Sequence, residues 1–242
     1  MSDSRVLVTG ASGGIGRAIA AAFRQAGAAV EVTSRSGVVD GYPDAIAMEL
    51  EDPASVTRAV QEAARRGGLD TLVLNAVRWP TGVADRFEDL APAEWQPVLR
   101  ANVEGAFAAV QAALPPLRAS HAGRIVLVSS GAAEEGHPPS PHYVTAKAAL
   151  HGLGRALAWD AGRDGVLVNV VAVGFTRTAT NAERFGDDVF ARAGELTPQR
   201  RVSTAEDVAR VVLWLGSPAN TSVTGEVIRE GTSAARTPLV AI

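Results

Sequence analysis

The chain has 242 residues, 47% of them hydrophobic and 20% charged, with a net charge of −3. That balance excludes a disordered chain, and the charge is too small and mixed for a nucleic-acid partner. Cys is absent, which excludes disulfides, thiolate catalysis and cysteine-ligated zinc, and no HxH or HExxH spacing points to another metal.

The opening stretch MSDSRVLVTG has no basic leader followed by an apolar run. No window approaches the roughly 18 apolar residues of a membrane span. A one-domain cytoplasmic protein is therefore expected. Arg5 to Thr9 is the first strand signal, followed by a Gly-rich turn and a helix from Ile15 to Gln25 with Gly27 as its cap. Ala28 to Thr33 reads as a strand. Asp52-Pro53 reads as an N-cap and first helical position of a helix to Arg66. Leu69 to Asn75 is a strand, Ala93 to Arg118 helical, and Arg124 to Ser130 a buried strand. Tyr143 to Ala161 is a long helix and Val166 to Val173 an apolar strand. Thr204 to Leu215 is a helix with capping-box spacing, and Val223 to Arg229 a last strand. Strands and helices alternate, and the strands are continuously apolar. The pattern predicts an α/β fold with a doubly wound parallel sheet covered on both faces. Gly131 to His142 and Thr176 to Pro198 read as polar loops at the carboxyl edge, where such sheets bind ligands.

The turn Thr9-Gly10-Ala11-Ser12-Gly13-Gly14-Ile15-Gly16 links the first strand to the first helix. Gly10 suits a tight turn, Gly14 close approach to a pyrophosphate, and Gly16 close helix–sheet packing. The helix N-terminus offers free N–H groups to phosphates. A dinucleotide site is therefore expected. At the end of the second strand, where an NAD site places a carboxylate, the chain has Ser34-Arg35-Ser36. An Arg fork binds a 2′-phosphate well, so NADP(H) is favoured over NAD(H).

Of 23 basic residues only Lys147 is Lys, and it follows Tyr143, one of two Tyr, by four positions. On a helix the two share a face. Tyr143-Val144-Thr145-Ala146-Lys147, Ser130 thirteen residues earlier, Asn102, Asn75-Ala76 and the Gly turn together resemble the short-chain dehydrogenase/reductase family. Here they fall in the order of its YxxxK, catalytic Ser, helix Asn, NNAG and TGxxxGxG motifs. The resemblance spans nearly the whole chain and implies a Rossmann-type sheet of about seven strands. It implies hydride transfer between NADP(H) and a ketone or secondary alcohol, with Tyr143 as acid/base. Lys147 and a cationic nicotinamide would together lower the Tyr143 pKa, Lys147 would bind the nicotinamide ribose, and Ser130 would bond the substrate oxygen. Asn102 would hold a water linking Lys147 to solvent. Cofactor contacts are implied for Gly10, Ser12, Gly13, Gly14, Ile15, Gly16, Ser34, Arg35, Leu50, Asn75, Ala76, Tyr143, Lys147, Gly174, Thr176 and Thr178. A homo-oligomer, tetramer or dimer, is implied on the helices Asn102 to Arg118 and Tyr143 to Ala161.

The chain departs from the family pattern at Val77, in place of the last Gly of NNAG, and at Val173, where the family has Pro before Gly174. Arg229-Glu230-Gly231 stands for the closing DGG. These changes mark a divergent member. His137 and His142 are expected to line the substrate pocket, Glu134 and Glu135 to form a solvated loop face, and Arg177 and Arg184 to be surface charge on a mobile lid. Two other classes are weighed: an epimerase or dehydratase on a related fold, and a non-catalytic dinucleotide sensor. The first usually has a longer C-terminal domain and a GxxGxxG turn, both lacking here; the second would be free to lose Tyr143 or Lys147.

Overall fold

The computed structural model describes residues 1, 3–82, 86–137 and 139–231. Nine strands and eight α-helices alternate through them. The strands are β1 Arg5–Val8, β2 Ala29–Ser34, β3 Ile46–Ala47, β4 Thr71–Leu74, β5 Arg124–Ser130, β6 Leu167–Val173, β7 Thr176–Arg177, β8 Ser203–Thr204 and β9 Val227–Glu230. The helices are α1 Gly14–Gln25, α2 Pro53–Arg65, α3 Pro92–Leu99, α4 Gly105–Ala119, α5 Ala132–Glu135, α6 Pro141–Ala161, α7 Ala179–Glu195 and α8 Ala205–Leu215. Seven strands form one parallel sheet in the order β3-β2-β1-β4-β5-β6-β9. This is the doubly wound Rossmann arrangement, with its change of direction between β1 and β4.

Alternate residues of each strand serve opposite faces. Leu7, Leu72, Ile125, Leu127 and Val170 join a core with α2, α4 and α6. Val6, Val8, Val73, Val126 and Val171 join one with α1 and α8. Burial on both faces explains why the strands read as continuous apolar runs. The expected caps also form. The Asp52 carboxylate accepts from the Ala54 amide at 3.0 Å, and Thr204 and Asp207 bond reciprocally at the start of α8.

Four expectations need correction or refinement. The segment from Thr176 to Pro198 is not a loop but β7 followed by α7, broken once at Gly186, where φ is 71°. Gly186 and the many charges obscure an amphipathic pattern that buries Phe190 and Ala193. The segment before Tyr143 contains α5, and α6 begins at Pro141, a favoured first helical residue. The helical material expected over Ala93 to Arg118 is present, but divided into two helices by a π turn at Arg100–Glu104. The last strand runs later than expected, because Val223 and Thr224 lie in a turn tied down by the Asn220 and Thr224 side chains.

Candidate active site

The turn after β1 is held from below. Thr9 Oγ1 accepts from the amides of Asn75 and Ala76 at 3.0 Å and donates to the Val73 carbonyl. The Asn75 amide group donates to the carbonyls of Thr9 and Gly10 at 3.0 and 3.1 Å. Gly10 has φ of 69°, and a Cβ there would lie 2.7 Å from Ala76 Cα. A Cβ on Gly16 would meet the Gly10 carbonyl at 2.2 Å. These two glycines are fixed by close packing at the β1–β4 crossover. Val77, in the family's Gly position, is accommodated half-buried.

Ser12, Gly13 and Gly14 are exposed, Ile15 is half-buried, and no side chain caps α1 at Gly13. The first-turn N–H groups and the positive end of the helix dipole are thus left without a side-chain cap. Thr178 packs against this turn, its Cβ 3.0 Å from where a Gly14 Cβ would be, so Gly14 is needed for that close approach. An uncapped helix start, a glycine cradle and the exposed Arg35 beyond β2 fit a dinucleotide with its pyrophosphate on α1. Three expected contacts have other engagements. The buried Ser34 hydroxyl donates to the Val38 carbonyl at 3.0 Å, and the Thr176 hydroxyl to the Gly174 carbonyl at 2.9 Å. Thr178 caps α7 by accepting from the Asn181 amide. Gly174 is packed against Gly231, whose carbonyl oxygen a Cβ would meet at 2.0 Å. Leu50 is half-buried after β3 and shares a small cavity with Ala76, Asn102 and Lys147.

Ser130 ends β5, and Tyr143 and Lys147 lie one turn apart on α6. The Ser130 hydroxyl stands near the Tyr143 phenol, close enough to favour its ionised form, and accepts from the Ala132 amide at 3.2 Å. Lys147 Nζ donates to the Val128 carbonyl at 2.8 Å and sits 5.9 Å from the Tyr143 ring centre. Burial dominates both ionisations. It pushes the Tyr143 phenol up to about 12, with the nearby Ser130 hydroxyl opposing, and pulls Lys147 down to about 8. The expected lowering rests on the amine together with a cationic nicotinamide; in the chain by itself, desolvation of a phenol that is 8% exposed prevails.

Asn102 lies in the π turn, a helix irregularity that is common at functional sites. Its amide is bonded to the Arg78 backbone at both ends, which leaves it one lone pair and one N–H. The shared cavity is about 20 Å³, room for one water.

Other residues were not legible as site components. Trp79 stacks on Tyr143 with ring centres 4.7 Å apart, and the Arg78 guanidinium pairs with Glu51. The Ser129 hydroxyl donates to the Lys147 carbonyl at 2.9 Å and bonds His151 Nε2, fixing α6 against β5. Only the Ser130 neighbourhood pointed toward Ser129; nothing in spacing marked Arg78 or Trp79. Glu134 is exposed, as expected of a solvated face, while Glu135 is half-buried, and both pair with Arg229 of β9. His142 does not line an open pocket. It is 0% exposed, with neither ring nitrogen hydrogen-bonded, and burial holds its pKa below the usual range. His137 is half-buried beside Arg184, and Arg177 pairs with Asp187.

A Rossmann sheet, an uncapped glycine turn and a Ser–Tyr–Lys cluster at its carboxyl edge define a dinucleotide-dependent oxidoreductase fold. The family profile described as enoyl-(acyl carrier protein) reductase matches residues 10–229. The chain belongs to the short-chain dehydrogenase/reductase family. It is 34% identical to the 3-oxoacyl-(acyl-carrier-protein) reductase FabG of Aquifex aeolicus over 92% of this chain and 93% of that one. It is 37% identical to versicolorin reductase of Emericella nidulans over 93% and 94%. A crystal structure of a short-chain dehydrogenase from Burkholderia cenocepacia, in complex with NADP, superposes with a TM-score of 0.84 at 33% identity, covering 96% of this chain and 98% of that one. Among the described residues no helix is long and apolar enough to cross a membrane.

Proposed function

We propose that the protein is an NADP(H)-dependent carbonyl reductase that interconverts a ketone and a secondary alcohol. The observation that carries this reading is the cluster of Ser130 at the end of β5 with buried Tyr143 and Lys147, one turn apart on α6. When bound, the cofactor's nicotinamide supplies or accepts the hydride. In reduction, Tyr143 donates its proton to the substrate oxygen as that oxygen gains charge, while Ser130 donates a hydrogen bond to it. The phenol held protonated up to about 12 suits this donor role. Lys147, lowered to about 8, is poised to return a proton to the phenolate, and its charged form stabilises that phenolate at close range. In oxidation each proton moves the other way.

Gly13, Gly14, Ile15 and Gly16 would hold the pyrophosphate through backbone N–H groups, with Ser12 and Thr178 at its edges. Asn75, Ala76, Gly174 and Thr176 would frame the nicotinamide half through their backbone. Arg35 supports the NADP(H) preference, because it is exposed and has no ion-pair partner among the described residues. The structural neighbour in complex with NADP and the reductase relatives support the same reading. Residues 176–198 would serve as the substrate-covering segment. A homo-oligomer on α4 and α6 is supported by Phe107 and Trp159, 56% and 83% exposed on their outer faces.

The test is NADPH consumption with a panel of ketones, followed by the loss of reduced-cofactor fluorescence. Binding of NADPH without turnover across the panel would favour a sensor and overturn the reading.

A further inference from the structure

Tyr143 is 8% exposed, yet Trp79, which stacks on it at 4.7 Å with planes 18° apart, is 62% exposed. One part of the indole is spent on the phenol ring, and the rest stands open at the carboxyl edge of the sheet. The loop that carries it is anchored. Arg78, its neighbour, is held through its backbone N–H and C=O by Asn102 and through its guanidinium by Glu51. The indole is therefore a fixed surface, placed beside the group that the Proposed function assigns to proton transfer.

A ketone oxygen that reaches the hydroxyls of both Ser130 and Tyr143 brings its carbonyl carbon next to these rings. One of that carbon's two substituents then lies along the residues flanking Tyr143, among which Trp79 offers an exposed aromatic surface. Aromatic rings gain from stacking beyond the area they bury, and a flexible chain does not. We propose that Trp79 determines substrate specificity, selecting ketones whose carbonyl is fused or conjugated to a planar aromatic ring. This inference rests on the carbonyl-reductase reading and names the substrate class of that site.

The test uses two probe ketones, bicyclic aromatic α-tetralone and acyclic ethyl acetoacetate. With NADP+ loaded no hydride can pass, so calorimetric titration reads ketone binding alone. Trp79→Ala should weaken α-tetralone binding by about three- to tenfold, the range expected for loss of one ring–ring contact, and Trp79→Phe should restore most of it. Ethyl acetoacetate binding should change by less than about twofold on the same scale. In turnover with NADPH, Trp79→Ala should raise KM for α-tetralone by more than it raises KM for ethyl acetoacetate. Three outcomes overturn the proposal: no binding of α-tetralone by the parent protein, unchanged binding in Trp79→Ala, or an equal loss for both ketones. The last would mean that Trp79 only holds Tyr143. A parent enzyme that binds α-tetralone through Trp79 but oxidises NADPH with no ketone would sink the reductase reading instead.

Discussion

Asn102 closes a two-point clamp on the backbone of Arg78. The Arg78 N–H donates to Asn102 Oδ1 at 3.0 Å, and Asn102 Nδ2 donates back to the Arg78 carbonyl at 2.9 Å. The π turn that carries Asn102 thereby fixes the loop after β4, and with it the indole on Tyr143.

Asn102→Ala should remove both bonds at once. Leaving two partly buried backbone groups unpaired costs about 1–3 kcal/mol, which denaturant unfolding would measure. Ketone turnover should fall with it, while NADPH binding is kept, because the Gly turn is anchored separately by Thr9 and Asn75. Unchanged unfolding and turnover would show that the clamp carries no weight.

Arg35→Ala should raise KM for NADPH by about tenfold or more, the worth of a charge-assisted bond to phosphate, and change KM for NADH by less than about twofold. Arg35→Asp should widen the gap by repelling the 2′-phosphate. Parallel changes for both cofactors would contradict the NADP(H) preference.

The phenol of Tyr143 should titrate well above the ordinary value near 10 in cofactor-free protein, toward about 12. The chain has only two Tyr, so subtracting the ultraviolet titration of Tyr143→Phe isolates it from Tyr42. A raised phenol pKa keeps the acid form dominant across neutral pH. Ketone reduction should therefore stay flat through neutrality, whereas alcohol oxidation should climb as pH rises. A phenol titrating below 10 without cofactor would show that Lys147 outweighs burial.

Much of this arrangement was legible before any coordinates. The parallel sheet followed from uninterrupted apolar strands such as Ile125 to Val128, and two helix starts from Asp52-Pro53 and Thr204 with Asp207. Tyr143 and Lys147 share a face simply because helical residues four apart do. The rest depended on contacts distant in sequence. The π turn at Asn102 has no sequence signature, and Gly186 broke the period that would have revealed α7. Ion pairs such as Arg229 with Glu134 and Glu135 join segments some 95 residues apart. The raised phenol pKa arises from burial, which spacing to Lys147 cannot report.

The central claim is that Tyr143 transfers the proton in a cofactor-dependent carbonyl reduction. Its most direct test is Tyr143→Phe, assayed side by side for NADPH binding and for ketone-dependent NADPH oxidation. The account predicts binding close to that of the parent protein and a rate lower by about 10²-fold or more, the usual scale for removing a general acid. Oxidation at the parent rate, with binding intact, would contradict it.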